Sequence, residues 1–262
     1  MNMLSLIGLK LRFVRRTRFH FFHHAAVYAA MMDRLALERP KHFPGGVSFY
    51  CPERARVSYK EHEPYHLACA LLPGGAVDAG TLVRAWQALP RTEFARTPGA
   101  PFGDNFRVET VTDLVSGNPL ADGKPTPLTD AMLKEAADRL RAETEITIRF
   151  LSPLLIYRKP VQAKQHIMDG EIFHPSKLLE FAVKAVTEWW PGSKIAAALP
   201  PLPRRGTSAE SSPYSKMVRL VQNRMVRADV SYPKKRLLGS MGSVRLHFPG
   251  SVGPFAECLL LA

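Results

Sequence analysis

Apolar and cationic residues alternate near the start of the chain, where Leu9, Leu11 and Phe13 bracket Lys10 and Arg12. A period of two belongs to a half-buried strand, so this segment predicts a strand with a basic outer face. The period then lengthens. From about residue 24 to 38, Val27, Met31 and Leu35 recur every four positions among alanines, which predicts a helix. After Gly45-Gly46, Val47 to Cys51 reads as a second strand, and Tyr65 to Leu72 as a third that ends at Pro73-Gly74-Gly75. Residues 79–89 carry Leu82, Val83, Trp86 and Leu89 in helical phase, and Phe106 to Val111 alternates again. The order strand, helix, strand, strand, helix, strand is the ferredoxin-like split arrangement, which RNA-recognition modules use to present a sheet to bases. Order alone does not fix function.

Ser116 to Thr129 is rich in Pro, Gly and Asp and is expected to be a linker between domains 1–118 and 129–262. Beyond it the pattern predicts a helix from Thr129 or Asp130 to Arg141, then strands Glu145–Phe150 and Leu154–Arg158. A second helix is expected from Pro175 to Trp190, with Trp189-Trp190 in the core. A Pro/Gly/Ser-rich loop over 191–213 holds Arg204 and Arg205. A basic helix is expected over about 213–227, followed by strands near 229–232, 243–248 and 255–261.

Charge sharpens this picture. The formal net charge is +13, but residues 1–45 hold eight Lys/Arg against two Asp/Glu, residues 46–200 hold eighteen of each, and residues 201–262 hold ten against three. The excess lies at the two ends, in patterned segments rather than plain tails, and such a balance attracts polyanions. The three cysteines, Cys51, Cys69 and Cys258, form no Cys-x-x-Cys pair, which suits a reduced, cytoplasmic protein. The apolar opening Met1 to Leu9 lacks a basic leader and is not read as a signal peptide. No apolar run reaches the roughly 20 residues of a membrane span.

Four stretches together resemble the CRISPR-associated repeat-processing endoribonucleases of the RAMP superfamily. They are Leu9-Lys-Leu-Arg-Phe13 with the small-residue helix Ala25-Ala-Val-Tyr-Ala-Ala30; Phe49-Tyr-Cys-Pro52 leading into Tyr65-His-Leu-Ala-Cys-Ala-Leu-Leu72; Ile148-Arg-Phe-Leu-Ser-Pro-Leu154; and the hairpin Gly239-Ser-Met-Gly-Ser-Val-Arg-Leu-His-Phe-Pro-Gly250. The resemblance implies an α+β chain of two tandem ferredoxin-like (RRM-like, βαββαβ) domains, a CRISPR repeat hairpin RNA as substrate with the crRNA as product, metal-independent cleavage with no cofactor, and other CRISPR effector subunits as possible partners. Such proteins usually add a second glycine-rich loop and a terminal strand after that hairpin, whereas this chain ends at Leu259-Leu-Leu-Ala262. That departure points to a divergent branch, and the short, arginine-rich processing proteins of type IV CRISPR systems look closest.

Cleavage of this kind uses the substrate's own 2′-hydroxyl, so the protein must align it, move protons and stabilise charge on the phosphate. Phe19-His20-Phe21-Phe22-His23-His24 follows the basic first strand, near where the family carries its catalytic histidine. His23 or His24 is the candidate acid or base, and Tyr28 shares a helical face with His24. The competing reading makes these histidines structural. Arg15, Arg16 and Arg18 crowd the same corner; an arginine is no ordinary base, but it can hold a phosphate bidentately. For RNA binding the candidates are Lys10, Arg12, Arg204 and Arg205. Lys216, Arg219, Asn223 and Arg227 fall on one stripe of the expected basic helix with Arg224 beside them, while Lys234, Lys235, Arg236 and Arg245 lie in or before the glycine hairpin. A-form RNA hides its base edges in a deep groove, so such cations read backbone and shape.

No His-Glu-x-x-His pattern exists, and no phosphate-binding helix follows Gly239-x-x-Gly242, so zinc hydrolysis and nucleotide binding are not expected. The alternative function is a non-catalytic RAMP subunit that only holds guide RNA. A membrane-surface protein would want an amphipathic helix with lysines opposite large apolar residues, and arginine dominates here.

Overall fold

The computed structural model describes residues 4–19, 23–35, 46–52, 56–72, 75, 77–88, 101–120, 124–154, 174–189, 192–204, 207–232 and 235–261. Of 25, 151–154, 189, 227–232 and 235–240 it describes the backbone alone. The chain forms two compact units, Met1–Thr129 and Asp130–Ala262.

In the first unit, β1 (Ser5–Phe13) alternates buried and half-buried positions along its whole length. Its inward residues Ile7, Leu9, Leu11 and Phe13 are 1% exposed or less. β2 (Thr17–Arg18) precedes α1 (His23–Leu35); then come β3 (Val47–Tyr50), β4 (Ser58–Tyr59), β5 (Pro64–Leu71), α2 (Ala79–Gln87) and β6 (Phe106–Asp113). The main sheet has the order β3-β5-β1-β6 and all its pairings are antiparallel. Counting only its own strands, that is second, third, first, fourth, the ferredoxin-like order. Val27 and Met31 of α1 and Leu82 and Trp86 of α2 join the inward strand residues in one core. Asp78 caps α2, accepting from the Thr81 amide.

Arg34 is buried at the edge of this core. It donates to the carbonyls of Ala30, Ala88, Phe102 and Gly103, and its guanidinium lies over the Trp86 and Phe106 rings. Burial lowers its pKa to about 10, against the pull of Asp33. It is a structural clamp, not a surface cation.

The segment after β6 is tied back to the sheet. Asp113 accepts from the amides of Val115 and Thr126 and from the Ser116 hydroxyl. Burial pushes its pKa up, but these hydrogen bonds outweigh it and hold the carboxyl well below the usual range. The Leu128 amide donates to the Leu4 carbonyl.

The second unit opens with α3 (Asp130–Arg141) and β7 (Glu145–Leu154). α4 (Pro175–Trp189) and the short α5 (Lys194–Ala198) follow; a 3₁₀ turn (Pro213–Lys216) leads into β8 (Arg219–Tyr232) and β9 (Lys235–His247). A second 3₁₀ turn (Gly253–Phe255) leads into α6 (Ala256–Leu261). The sheet order is β7-β9-β8, again antiparallel. First, third, second is the ferredoxin-like order for the strands present.

Two expectations are overturned. The basic helix over 213–227 is a 3₁₀ turn followed by strand. A bulge between Leu220 and Gln222 breaks the period of two, so Leu220, Val221 and Met225 take on a helical spacing, while pairing with β9 decides the outcome. The strand expected over 255–261 is a 3₁₀ turn and helix. Leucine-rich Ala256–Leu261 has no alternation, and Ala256, Glu257 and Cys258 are buried as consecutive residues. In addition, Glu145–Leu154 is one strand with a register shift after Phe150. Residues 155–158 and Trp190 lie outside the described residues.

Gly242 pairs with Met225 on one side and Phe150 on the other, at φ +134°. A Cβ there would sit 2.2 Å from the Arg224 carbonyl oxygen. Gly242→Ala should therefore weaken this unit by about 1–3 kcal/mol, read as a lower urea midpoint. A wild-type midpoint would show that the hairpin relaxes around the new carbon.

Candidate nucleic-acid interface and catalytic corner

The corner of the first unit rests on aromatic rings. β2 pairs with β4, Thr17 opposite Tyr59 and Arg18 opposite Ser58. Thr17 and Phe19 point inward, so Arg16 and Arg18 point outward and are exposed. Beneath them Phe13, Phe19, Tyr59, Tyr65 and Phe102 pack with centroids 5.0–6.3 Å apart. Buried Asn105 donates to the Thr17 hydroxyl at 2.5 Å, which fixes the turn. Among the described residues Arg16 and Arg18 make no ion pair, whereas Arg15 is bound to Asp104.

The histidines divide. His23 is 1% exposed and stacks on Phe19 at 3.9 Å. Its Nε2 lies 2.7 Å from the Arg56 carbonyl and its Nδ1 3.2 Å from the Tyr65 hydroxyl. Both nitrogens are thus engaged inside the protein, with Nε2–H donating and Nδ1 accepting. Tyr65 also hydrogen-bonds Cys51, whose thiol burial pushes up to about 11. His24 is half-buried, its Nε2 3.1 Å from the Phe49 carbonyl. Tyr28, one turn on, is 40% exposed. His20 lies outside the described residues.

Lys10 and Arg12 project from the outer face of β1, and both bind Glu109, at 2.9 and 2.5 Å. These contacts hold the Glu109 carboxyl below the usual range. The two cations therefore present about one net charge. Arg56 and Lys60, which flank β4, escaped the sequence reading: both are exposed, with Arg56 held by Glu63 at 2.5 Å and stacked over Tyr59.

The second unit carries the more open basic surface. β7, β9 and β8 place their outward residues in rows. The first row is Glu145, His247 and Arg219; the second Thr147, Arg245 and Gln222; the third Arg149, Ser243 and Arg224. A fourth adds Met241 and Val226. Leu220, Ile146, Ile148, Val244 and Leu246 face the other way, and Val244 and Leu246 are fully buried. Among the described residues, four arginines thus share one solvent face with a single carboxylate, Glu145, which holds Arg245 at 2.9 Å. Arg149, Arg219 and Arg224 make no ion pair among the described residues.

The sequence stripe of Lys216, Arg219, Asn223 and Arg227 does not survive the change from helix to strand. Asn223 pairs with Val244 on the opposite face to Arg224, and its side-chain oxygen accepts from the Met225 amide. Arg227 pairs with Ser240, and Lys235 and Arg236 with Tyr232 and Ser231, by backbone alone. Lys216 is exposed on the 3₁₀ turn, and Arg204 is exposed in the loop after α5. Arg205 and Lys234 lie outside the described residues. Arg149 was missed because it sits in the charge-neutral middle of the chain, although its alternation with Ile148 and Phe150 is legible.

No protein-family model and no curated protein matches this chain. Solved structures do. A partial Cas6-RT-Cas1–Cas2 complex aligns over 98% of the chain with TM-score 0.65 and 18% identity. A Cas6 product complex aligns over 99% with TM-score 0.54 and 18% identity, and Thermus thermophilus Cas6 over 99% with TM-score 0.55 and 16% identity. The chain has the Cas6 fold. It spans 42% of the first of these neighbours and 90% and 88% of the two Cas6 chains. Among the described residues no helix is long and apolar enough to cross a membrane.

Two outcomes test these assignments within the Cas6 fold. Glu145→Gln frees Arg245 and removes the one carboxylate of the basic face, so affinity for a hairpin RNA should rise several-fold in a filter-binding titration; unchanged or weaker binding would take that face out of the interface. His23→Ala opens a cavity under Phe19 and removes the ring's hydrogen bonds to the Arg56 carbonyl and the Tyr65 hydroxyl, so it should cost about 2–4 kcal/mol of stability. Calorimetry showing a wild-type unfolding transition would contradict the structural placement of His23.

Proposed function

We propose that this chain is a Cas6-type endoribonuclease that binds the stem-loop of a CRISPR repeat and cuts the precursor transcript by attack of a 2′-hydroxyl. The Cas6 fold supports this, and one observation carries it: four arginines on the outer sheet face of the second unit, with one carboxylate among them. A continuous cationic face on a rigid sheet suits a phosphate backbone whose shape, not sequence, is read. The product, crRNA, stays bound by those same contacts, and other CRISPR subunits are its natural partners.

The chemistry is assigned to the corner of the first unit. Arg16 and Arg18, held outward by the aromatic cluster, hold the scissile phosphate and stabilise its added charge. His24 or Tyr28 on α1 moves the proton. The attacking 2′-oxygen forms its bond to phosphorus as the 5′-oxygen leaves and takes up a proton, giving a 2′,3′-cyclic phosphate and a 5′-hydroxyl. His23 is not part of this assignment, because its ring is built into the core.

That same burial favours a second reading, a RAMP subunit that holds RNA without cutting it. Incubation of the full chain with a repeat hairpin in EDTA separates the two. The enzyme should cleave, leave a cyclic phosphate, and be blocked by a 2′-deoxy nucleotide before the cut. Arg16→Ala with Arg18→Ala should slow single-turnover cleavage by on the order of 10²–10³, with a smaller loss of affinity. Tight binding with no cleavage by the wild type would establish the non-catalytic reading.

A further inference from the structure

The rows of the second sheet carry more than a general attraction for RNA. Along β8 and β9, Arg219, Arg245 and Arg224 occupy three successive rows of one face, because Arg219 is level with His247, Gln222 with Arg245, and Arg224 with Ser243. The bulge between Leu220 and Gln222 makes this possible. Without it, the five-residue step from Arg219 to Arg224 would put the two arginines on opposite faces, since a strand alternates with period two. Rows two residues apart are about 6.7 Å apart along the strand, a spacing comparable to that of consecutive phosphates on one nucleic-acid strand. The next row holds no cation: Val226 is 65% exposed and lies opposite Met241.

Resting on the functional reading above, we propose that one strand of the bound RNA runs lengthwise along β8 and β9. Three consecutive phosphates then meet Arg219, Arg245 and Arg224 in that order, and the apolar row of Val226 and Met241 ends the track against a ribose or base. Glu145 lies in the first row, on β7, and holds Arg245 of the second until a phosphate displaces it. A path across the strands fits less well. It would follow the row of Arg149, Ser243 and Arg224, which has two cations about 10 Å apart on β7 and β8, and would leave Arg219 and Arg245 off the line.

The test is a scan of the repeat hairpin with single 2′-deoxy methylphosphonate linkages, each of which removes one phosphate charge. Affinity is measured for the full-length protein and for Arg219→Gln, Arg245→Gln and Arg224→Gln, all exposed positions whose folding is checked by circular dichroism. In the wild type, three adjacent linkages should each weaken binding several-fold. Each variant should become insensitive to one of them, in the order 219, 245, 224 along a single strand, and each should lower the salt slope by about 0.7–0.9. Insensitive positions on opposite strands of the stem, or in another order, overturn the lengthwise path while leaving the function standing. Adjacent positions assigned to Arg149→Gln and Arg224→Gln would establish the crosswise path instead. If the hairpin does not bind at all, the functional reading fails and this inference fails with it.

Discussion

A side chain at position 242 would meet the Arg224 carbonyl oxygen at 2.2 Å, so β9 threads between β7 and β8 in this register only with glycine there. The outer surface of the second unit depends on that contact. A sheet has two faces and a period of two, and a slip of one residue exchanges them. Such a slip of β9 would turn Arg245 toward the core and present Val244 and Leu246 to water, breaking the row of cations it shares with β8. The bulge after Leu220 is the second half of the same constraint, because it brings Arg219 into phase with Arg245 and Arg224. The cationic character of this face is thus a consequence of backbone pairing.

The first unit solves a different problem with a different material. Its corner must turn the chain from β1 into α1 while leaving cations outward. Rings do this: Phe13, Phe19, Tyr59 and Tyr65 form a raft, His23 stacks into it, and the two-residue pairing of β2 with β4 runs above it. The raft takes one histidine of the His-rich run out of reach of any substrate. It leaves Arg16, Arg18 and Tyr28 exposed, with His24 half-buried against the Phe49 carbonyl. Reactivity at this corner is decided by which side chains the core consumes.

Ion pairs redistribute the charge in the same way. Glu109 answers both Lys10 and Arg12, Asp104 answers Arg15, Glu63 answers Arg56, and Glu145 answers Arg245. A formal charge of +13 therefore overstates the charge that stays open at the surface. Among the described residues, Arg16, Arg18, Arg149, Arg219 and Arg224 stay open and are set on strands or on the turn that enters one. Fixed positions lose less entropy on binding than mobile tails would.

The sequence by itself determined the four strands of the main sheet and the two helices of the first unit, because β1 and β5 alternate along their length and each helix has its own apolar stripe, but not the two-residue pairing of β2 with β4. Leu9-Lys10-Leu11-Arg12-Phe13 and the Leu82 and Trp86 stripe could be read residue by residue, and so could the concentration of charge at the chain ends. It did not determine the state of 213–227, since one bulge makes a strand imitate a helix, and only pairing with β9 resolves the two. Nor did it determine that 255–261 is helical, because an apolar run without polar punctuation carries no period. The partition of the histidines, the neutralisation of Lys10 and Arg12 by Glu109, and the recruitment of Arg149 from a charge-neutral stretch were decided by tertiary structure alone. Those outcomes depend on which residues meet across strands distant in sequence, and local pattern holds no record of such meetings.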